Sequence, residues 1–143
     1  MKQIILLNLI LIPLLGLGQN NKTAEAYYDS AFKILNSNTY GALSKGLSSK
    51  ALDLSNKAIQ LDSNVSKYFR VKATSYYHLK NYEQALYNHE RAILLDSTNC
   101  LAWMGAGVVF ENTNRLELAE RYYRKSLECD SNLIVSFPVF WAS

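Results

Sequence analysis

Proline is almost missing from this chain of 143 residues: there are two, Pro13 and Pro138, alongside 6 glycines. The long stretch between the prolines is thus nearly free of helix breakers. Histidine is equally scarce. His78 and His89 are the two present, and they fall on different predicted helices. A helix-borne metal site needs ligands at i and i+3 or i+4, and zinc needs more ligands than this, so no metal is expected. No G-x-S-x-G turn occurs, and neither cysteine has a histidine beside it in sequence, so a nucleophile with its base is not in view. Gly105 and Gly107 lie inside a predicted helix and form no phosphate loop. Glu117 and Glu120 share a solvated helix face with Arg121 and Arg124, as ordinary i, i+4 pairs. No catalytic residue and no cofactor is expected. Charge of one sign is lacking too. With 15 Lys+Arg against 12 Asp+Glu the net charge is +3, and no basic stripe marks a nucleic-acid or anionic-lipid surface.

What is there begins with an apolar run. Ile4 to Leu17 is apolar apart from Asn8, Pro13 and Gly16, with Lys2 ahead of it and Gly16-Leu17-Gly18 at its end. The run is shorter than the ~20 residues that span a bilayer as a helix. It predicts a secretory signal peptide over residues 1–18, cut after Gly18, with an uncleaved anchor as the alternative. No cysteine follows the cut to take a lipid. The expectation is an exported protein, periplasmic or extracellular, with no stable membrane span once the signal is removed. Loss of Lys2 would take the net charge from +3 to +2.

Asp62-Ser63, Asp96-Ser97 and Asp130-Ser131 recur at a period of 34 residues, each closing a similar phrase. A period of this size means one supersecondary unit stacked on copies of itself. Within the units the apolar residues have helical spacing. Phe69, Ala73 and Tyr76 share a face, as do Ala85, His89 and Ala92; Trp103, Gly107 and Phe110 line the next helix, and Ala119, Tyr123 and Leu127 its partner. Asn81 with Gln84, and Asn114 with Glu117, read as capping boxes at the start of second helices. Ala73, Ala85, Gly107 and Ala119 are expected where helices approach closely, with the rings of Phe69, Tyr76, Trp103 and Phe110 in the wider gaps. Cys100 begins one helix and Cys129 ends its antiparallel partner. A bridge between them is possible if the Cα atoms come within about 7 Å, and two buried small residues are the alternative.

This pattern resembles the tetratricopeptide repeat family, whose units are 34-residue helical hairpins. Trp103-x-x-Ala106-Gly107-x-x-Phe110, then Ala119-x-x-x-Tyr123, follow its consensus. Phe69, Lys72, Ala73 and Tyr76, then Ala85 and His89, match in the middle unit, where His89 takes a packing place. Tyr27, Ser30, Ala31 and Ile34, then Ala51 and Ala58, match in the first, which is degenerate: the gap from Asn36 to Gly46 is too long. Serine replaces the usual proline at the unit ends, and the adjoining Asp residues are expected to form Asx turns or cap the next helix. The resemblance implies an all-α, right-handed helical-hairpin solenoid of about three repeats over residues 22–132, with units at about 22–62, 66–99 and 100–132.

In such stacks the first helices line a concave groove. Here Tyr28, Phe32 and Leu35, then Arg70, Thr74, Tyr77 and His78, then Met104, Val108 and Glu111, would face it, with Phe32 and Leu35 as core of the end repeat the alternative. This suits an extended or helical peptide with apolar anchors. Chaperone-binding members of the family hold a peptide's terminal carboxylate with basic and amide side chains, and those places here carry Tyr28, Phe32, Val71, Leu101 and Gly105. The expected function is a non-catalytic protein- or peptide-binding scaffold of the cell envelope. The alternatives are the sensor region of a longer signalling protein and, from another class, an envelope hydrolase or its accessory. Residues 133–143 are almost wholly apolar and read as a covering segment over the last hairpin, a partner surface or the start of further repeats.

Overall fold

The computed structural model describes residues 20–37 and 43–132. The readings of 1–18 as a signal and of 133–143 as a covering segment fall outside these residues. Six helices and no strand are found among them: α1 (20–36), α2 (Lys45–Leu61), α3 (Ser66–His78), α4 (Tyr82–Leu95), α5 (Cys100–Asn112) and α6 (Leu116–Cys129). They form three successive hairpins. α3 packs along α4 and α5 along α6, while α2 meets α3, and α5 meets both α4 and α3. No helix among the described residues is long and apolar enough to cross a membrane.

The ends of the helices follow from local chemistry. Asp62, Asp96 and Asp130 each donate their backbone N–H to the carbonyl four residues back, Ala58, Ala92 and Ser126. Each carboxylate then accepts the N–H two residues on, from Asn64 at 3.0 Å, Thr98 at 2.9 Å and Asn132 at 3.0 Å. The repeated Asp therefore stops each second helix and turns the chain, in place of proline.

At the start of the second helices, Ser44 accepts from Leu47 N–H and Asn81 from Gln84 N–H. The return half of the Asn81 box is not made, because the Asn81 N–H already donates to Tyr76 O at 3.0 Å. The expected cap at Asn114 is corrected. Arg115 precedes α6 and offers no side-chain cap, while Asn114 adopts a left-handed φ of 57°. A shift of one explains it: Arg115 occupies the place of Asn81, and Asn114 that of Lys80, which has a φ of 62°. Asparagine tolerates this region better than other β-carbon residues, and the turn closes by a bond from Arg115 N–H to Phe110 O at 2.9 Å.

Small residues lie at the crossings. Ala31, Ala73, Ala85 and Ala119 have no exposed surface, and a β-carbon at Gly107 would come 2.6 Å from the Tyr123 ring. Phe69, Phe110 and Tyr123 are buried around them. Tyr27, Tyr76 and Trp103 are only half-buried, unlike the gap-filling role expected of Tyr76 and Trp103. Trp103 keeps its indole N–H at the rim, donating to Ser97 O at 3.0 Å, with its ring against Tyr122. An amphipathic ring settles where its apolar body is covered and its polar tip is met.

Candidate functional site

The first helices α1, α3 and α5 carry every residue expected in the groove. Tyr28, Arg70, Thr74, Tyr77, His78, Met104, Val108 and Glu111 are all half-buried, neither core nor free surface. The α1–α3 end is the best knit. Arg70 Nη2 lies 3.5 Å from Tyr28 Oη, and its guanidinium carbon is 5.6 Å from the centre of the Phe32 ring. Burial pulls the Arg70 pKa down, opposed by Tyr28. Thr74 donates its hydroxyl to Arg70 O at 3.0 Å and so serves its own helix. Tyr77 meets His78 edge-to-face and Tyr82 at a tilt. Burial, and then Lys80, lower the pKa of His78.

The α5 end differs. Met104 and Val108 pack against the Phe110–Ala119–Tyr123 cluster, so they offer edges to a ligand and not whole side chains. Glu111 accepts a hydrogen bond of 2.5 Å from Tyr123 Oη on α6. Burial and this carboxylate push the Tyr123 phenol well up. This row of positions is thus cationic and aromatic at its α1–α3 end and carries a carboxylate at its α5 end.

Several participants were not foreseen. Glu25 on α1 accepts from Lys67 Nζ at 2.5 Å and Tyr68 Oη at 3.0 Å, and Lys67 lies 4.6 Å from the centre of the Tyr28 ring. Burial pushes the Glu25 carboxyl up, but the bonds from Lys67 and Tyr68 outweigh it and leave it lowered. The signal was present in the spacing: Glu25 and Tyr28, like Lys67 and Arg70, are three apart and share a helix face. Val71, at one of the family's clamp places, is 1% exposed and packs with Ala31 and Ala51. His89 is buried, as its packing place implies. Its pKa falls to about 3, through desolvation and then Arg70, and its Nδ1 has no hydrogen-bond partner.

Cys100 and Cys129 are joined by a disulfide, with 5.4 Å between Cα atoms and a sequence separation of 29. Cys129 is exposed and Cys100 half-exposed, so the alternative of two buried small residues is not what is seen. Among the described residues no group of three or more His, Cys, Asp or Glu is placed to hold a metal ion. A second open cleft lies between α4 and α6, where Leu86, Trp103, Phe110 and Tyr122 meet Arg121 and Lys125.

No family model matches the chain. Among curated proteins, Protein bimA of Emericella nidulans is 29% identical over 87 residues, covering 60% of this chain and 11% of that protein's own length. The chain thus corresponds to a small part of that relative. Solved structures are similar over most of the chain. The Arabidopsis OM64 TPR domain superposes with a TM-score of 0.70 at 20% identity, covering 79% of this chain and 87% of that one. The second TPR of Spaghetti (RPAP3), bound to the HSP90 peptide SRMEEVD, gives a TM-score of 0.67 at 20% identity, over 78% and 96%. MamA gives 0.62 at 19% identity, over 82% and 60%. The fold is that of a tetratricopeptide-type helical solenoid.

Proposed function

We propose that this chain is a non-catalytic scaffold of the cell envelope that holds a peptide segment of a partner protein along α1, α3 and α5. The observation that carries the reading is the row of half-buried Tyr28, Arg70, Tyr77 and Met104 on consecutive first helices, which leaves aromatic and apolar edges open to one side. A segment laid there covers those edges with few new ordering costs, because helices fix the residues that meet it. A structural neighbour, the second TPR of Spaghetti (RPAP3), is bound to a peptide, SRMEEVD, which supports peptide binding as a use of this fold.

The envelope location rests on two features. One is the apolar stretch at residues 4–17 behind Lys2. The other is the Cys100–Cys129 disulfide, a bond that persists in oxidising compartments. Intact-mass analysis of protein recovered from the envelope of an expressing host should show a chain beginning at Gln19; a full-length chain in the cytosolic fraction would remove the export reading.

The groove is tested with a phage-displayed library of random dodecapeptides. Selection on the wild type should yield peptides that lose at least tenfold in affinity against an Arg70→Glu, Tyr77→Ala double variant of unchanged melting temperature. Peptides that bind this variant as tightly as the wild type would place recognition elsewhere.

A further inference from the structure

One cation in the groove lacks an anionic partner. Arg70 is half-buried between helices, yet it forms no ion pair among the described residues. The carboxylate at the same end, Glu25, is engaged by Lys67 and Tyr68. The one polar contact recorded for the Arg70 side chain is Tyr28 Oη at 3.5 Å, the outer limit of a hydrogen bond. A guanidinium has five N–H donors in a planar fork. Partly withdrawn from water, those donors meet no protein anion among the described residues, and an anion brought to them is favoured. The surroundings add no competing carboxylate. Phe32 covers one side of the guanidinium as a ring, and His89, in the electrostatic field of Arg70, is buried and neutral at ordinary pH.

We propose that Arg70 anchors the side-chain carboxylate of an Asp or Glu within the segment held in the groove, with the segment's apolar neighbours resting on Tyr28, Phe32 and Tyr77. The proposal builds on the groove reading above and specifies the chemistry of its ligand. Arg70 is not itself one of the places at which chaperone-binding proteins of this fold grip a chain terminus; it borders three of them, Tyr28, Phe32 and Val71, and those places here carry no cation. An internal acid is therefore the matching group, and not a terminal carboxylate. At the far end Glu111, already bonded to Tyr123, disfavours a second acid and so sets the direction in which the segment lies.

The test uses a dodecapeptide from the selection, synthesised with its acid, with the acid replaced by the matching amide (Gln or Asn), and with an amidated C-terminus. Each is titrated by fluorescence anisotropy against wild type, Arg70→Gln and Arg70→Lys. Replacing the acid should weaken binding to the wild type at least tenfold and to Arg70→Gln by less than twofold, while C-terminal amidation changes little. Arg70→Lys should keep part of the preference, since it retains charge without the fork. If Arg70→Gln melts early, the Arg70→Lys comparison decides, a preference equal to that of the wild type counting against the fork. Equal losses on wild type and Arg70→Gln, or indifference of the wild type to the acid, overturn the proposal. A loss caused by C-terminal amidation instead would assign Arg70 to a terminus and refute the internal acid. Peptides that bind the Arg70→Glu, Tyr77→Ala variant unimpaired, or a selection yielding none, would remove the groove reading itself, a result distinct from the loss of acid preference alone.

Discussion

The imidazole of His89 on α4 fills the space that a β-carbon at position 105 on α5 would need, with Nε2 2.6 Å and Nδ1 3.0 Å from that point. Gly105 is therefore the seam between the second and third hairpins. Alanine there would raise intrinsic helix propensity by about 1 kcal/mol, but it would press on a ring that is buried and cannot swing away. Overpacking of this kind costs about 1–3 kcal/mol. Gly105→Ala should lower stability in urea unfolding, whereas the same change on a His89→Ala background should be neutral or stabilising. Equal effects on both backgrounds would mean the seam is not where the chain is tight.

The same histidine makes stability depend on pH. Its pKa in the folded state is depressed to about 3, so the unfolded chain takes up a proton first as pH falls below about 6.5. The stabilisation is thus complete above about 6.5 and is lost on acidification towards 3, at up to about 1.4 kcal/mol per pH unit. Between pH 6.5 and 5, wild type should lose stability while His89→Gln stays nearly level. Parallel curves for the two proteins would show that His89 does not titrate as described.

The disulfide closes the third hairpin at its open end. For a separation of 29 residues, the chain-entropy relation gives roughly 3–4 kcal/mol of stabilisation. Reductant, or the Cys100→Ser, Cys129→Ser pair, should shift urea unfolding by about that amount. An unchanged midpoint after full reduction would mean the bridge adds nothing to the fold.

Asn81 caps α4 through Gln84 N–H at 3.2 Å, and Arg115 at the equivalent place has no such bond. Asn81→Ala should cost about 1 kcal/mol, and Arg115→Ala should remove no cap energy; it loses the exposed bond from Nε to Thr113 Oγ1 at 3.0 Å and the contact of the guanidinium with the Phe110 ring, 4.6 Å from its centre. Comparable losses of about 1 kcal/mol or more at both sites in urea unfolding would contradict the one-residue shift between the two turns.

That shift shows how far the chain could be read before its structure. The period of 34 and the small residues Ala73, Ala85, Gly107 and Ala119 are packing demands, and packing leaves a mark on the sequence that survives from repeat to repeat. The turn before α6 was misplaced because Asn114 and Glu117 have the right spacing and chemistry for a cap, and only the hairpin register, shared with Lys80, assigns Asn114 a left-handed turn. That Tyr28, Arg70, Tyr77 and Met104 lie on first helices was legible, but their partners were not. Whether Glu25 meets Lys67 or Arg70 depends on how α1 leans on α3, two helices along the chain, and no local pattern encodes that angle. His89 was legible as core; the clearance it takes from Gly105 was not, since the two lie on different hairpins.

The central claim is that a peptide lies along the first helices. Amide and side-chain NMR shifts recorded while a selected peptide is added test it most directly. Perturbations are expected at Tyr28, Arg70, Tyr77 and Glu111, on α1, α3 and α5, with Tyr87, Leu94 and Leu116 of α4 and α6 unmoved. Shifts confined to α4 and α6, around Leu86, Arg121 and Tyr122, would contradict it.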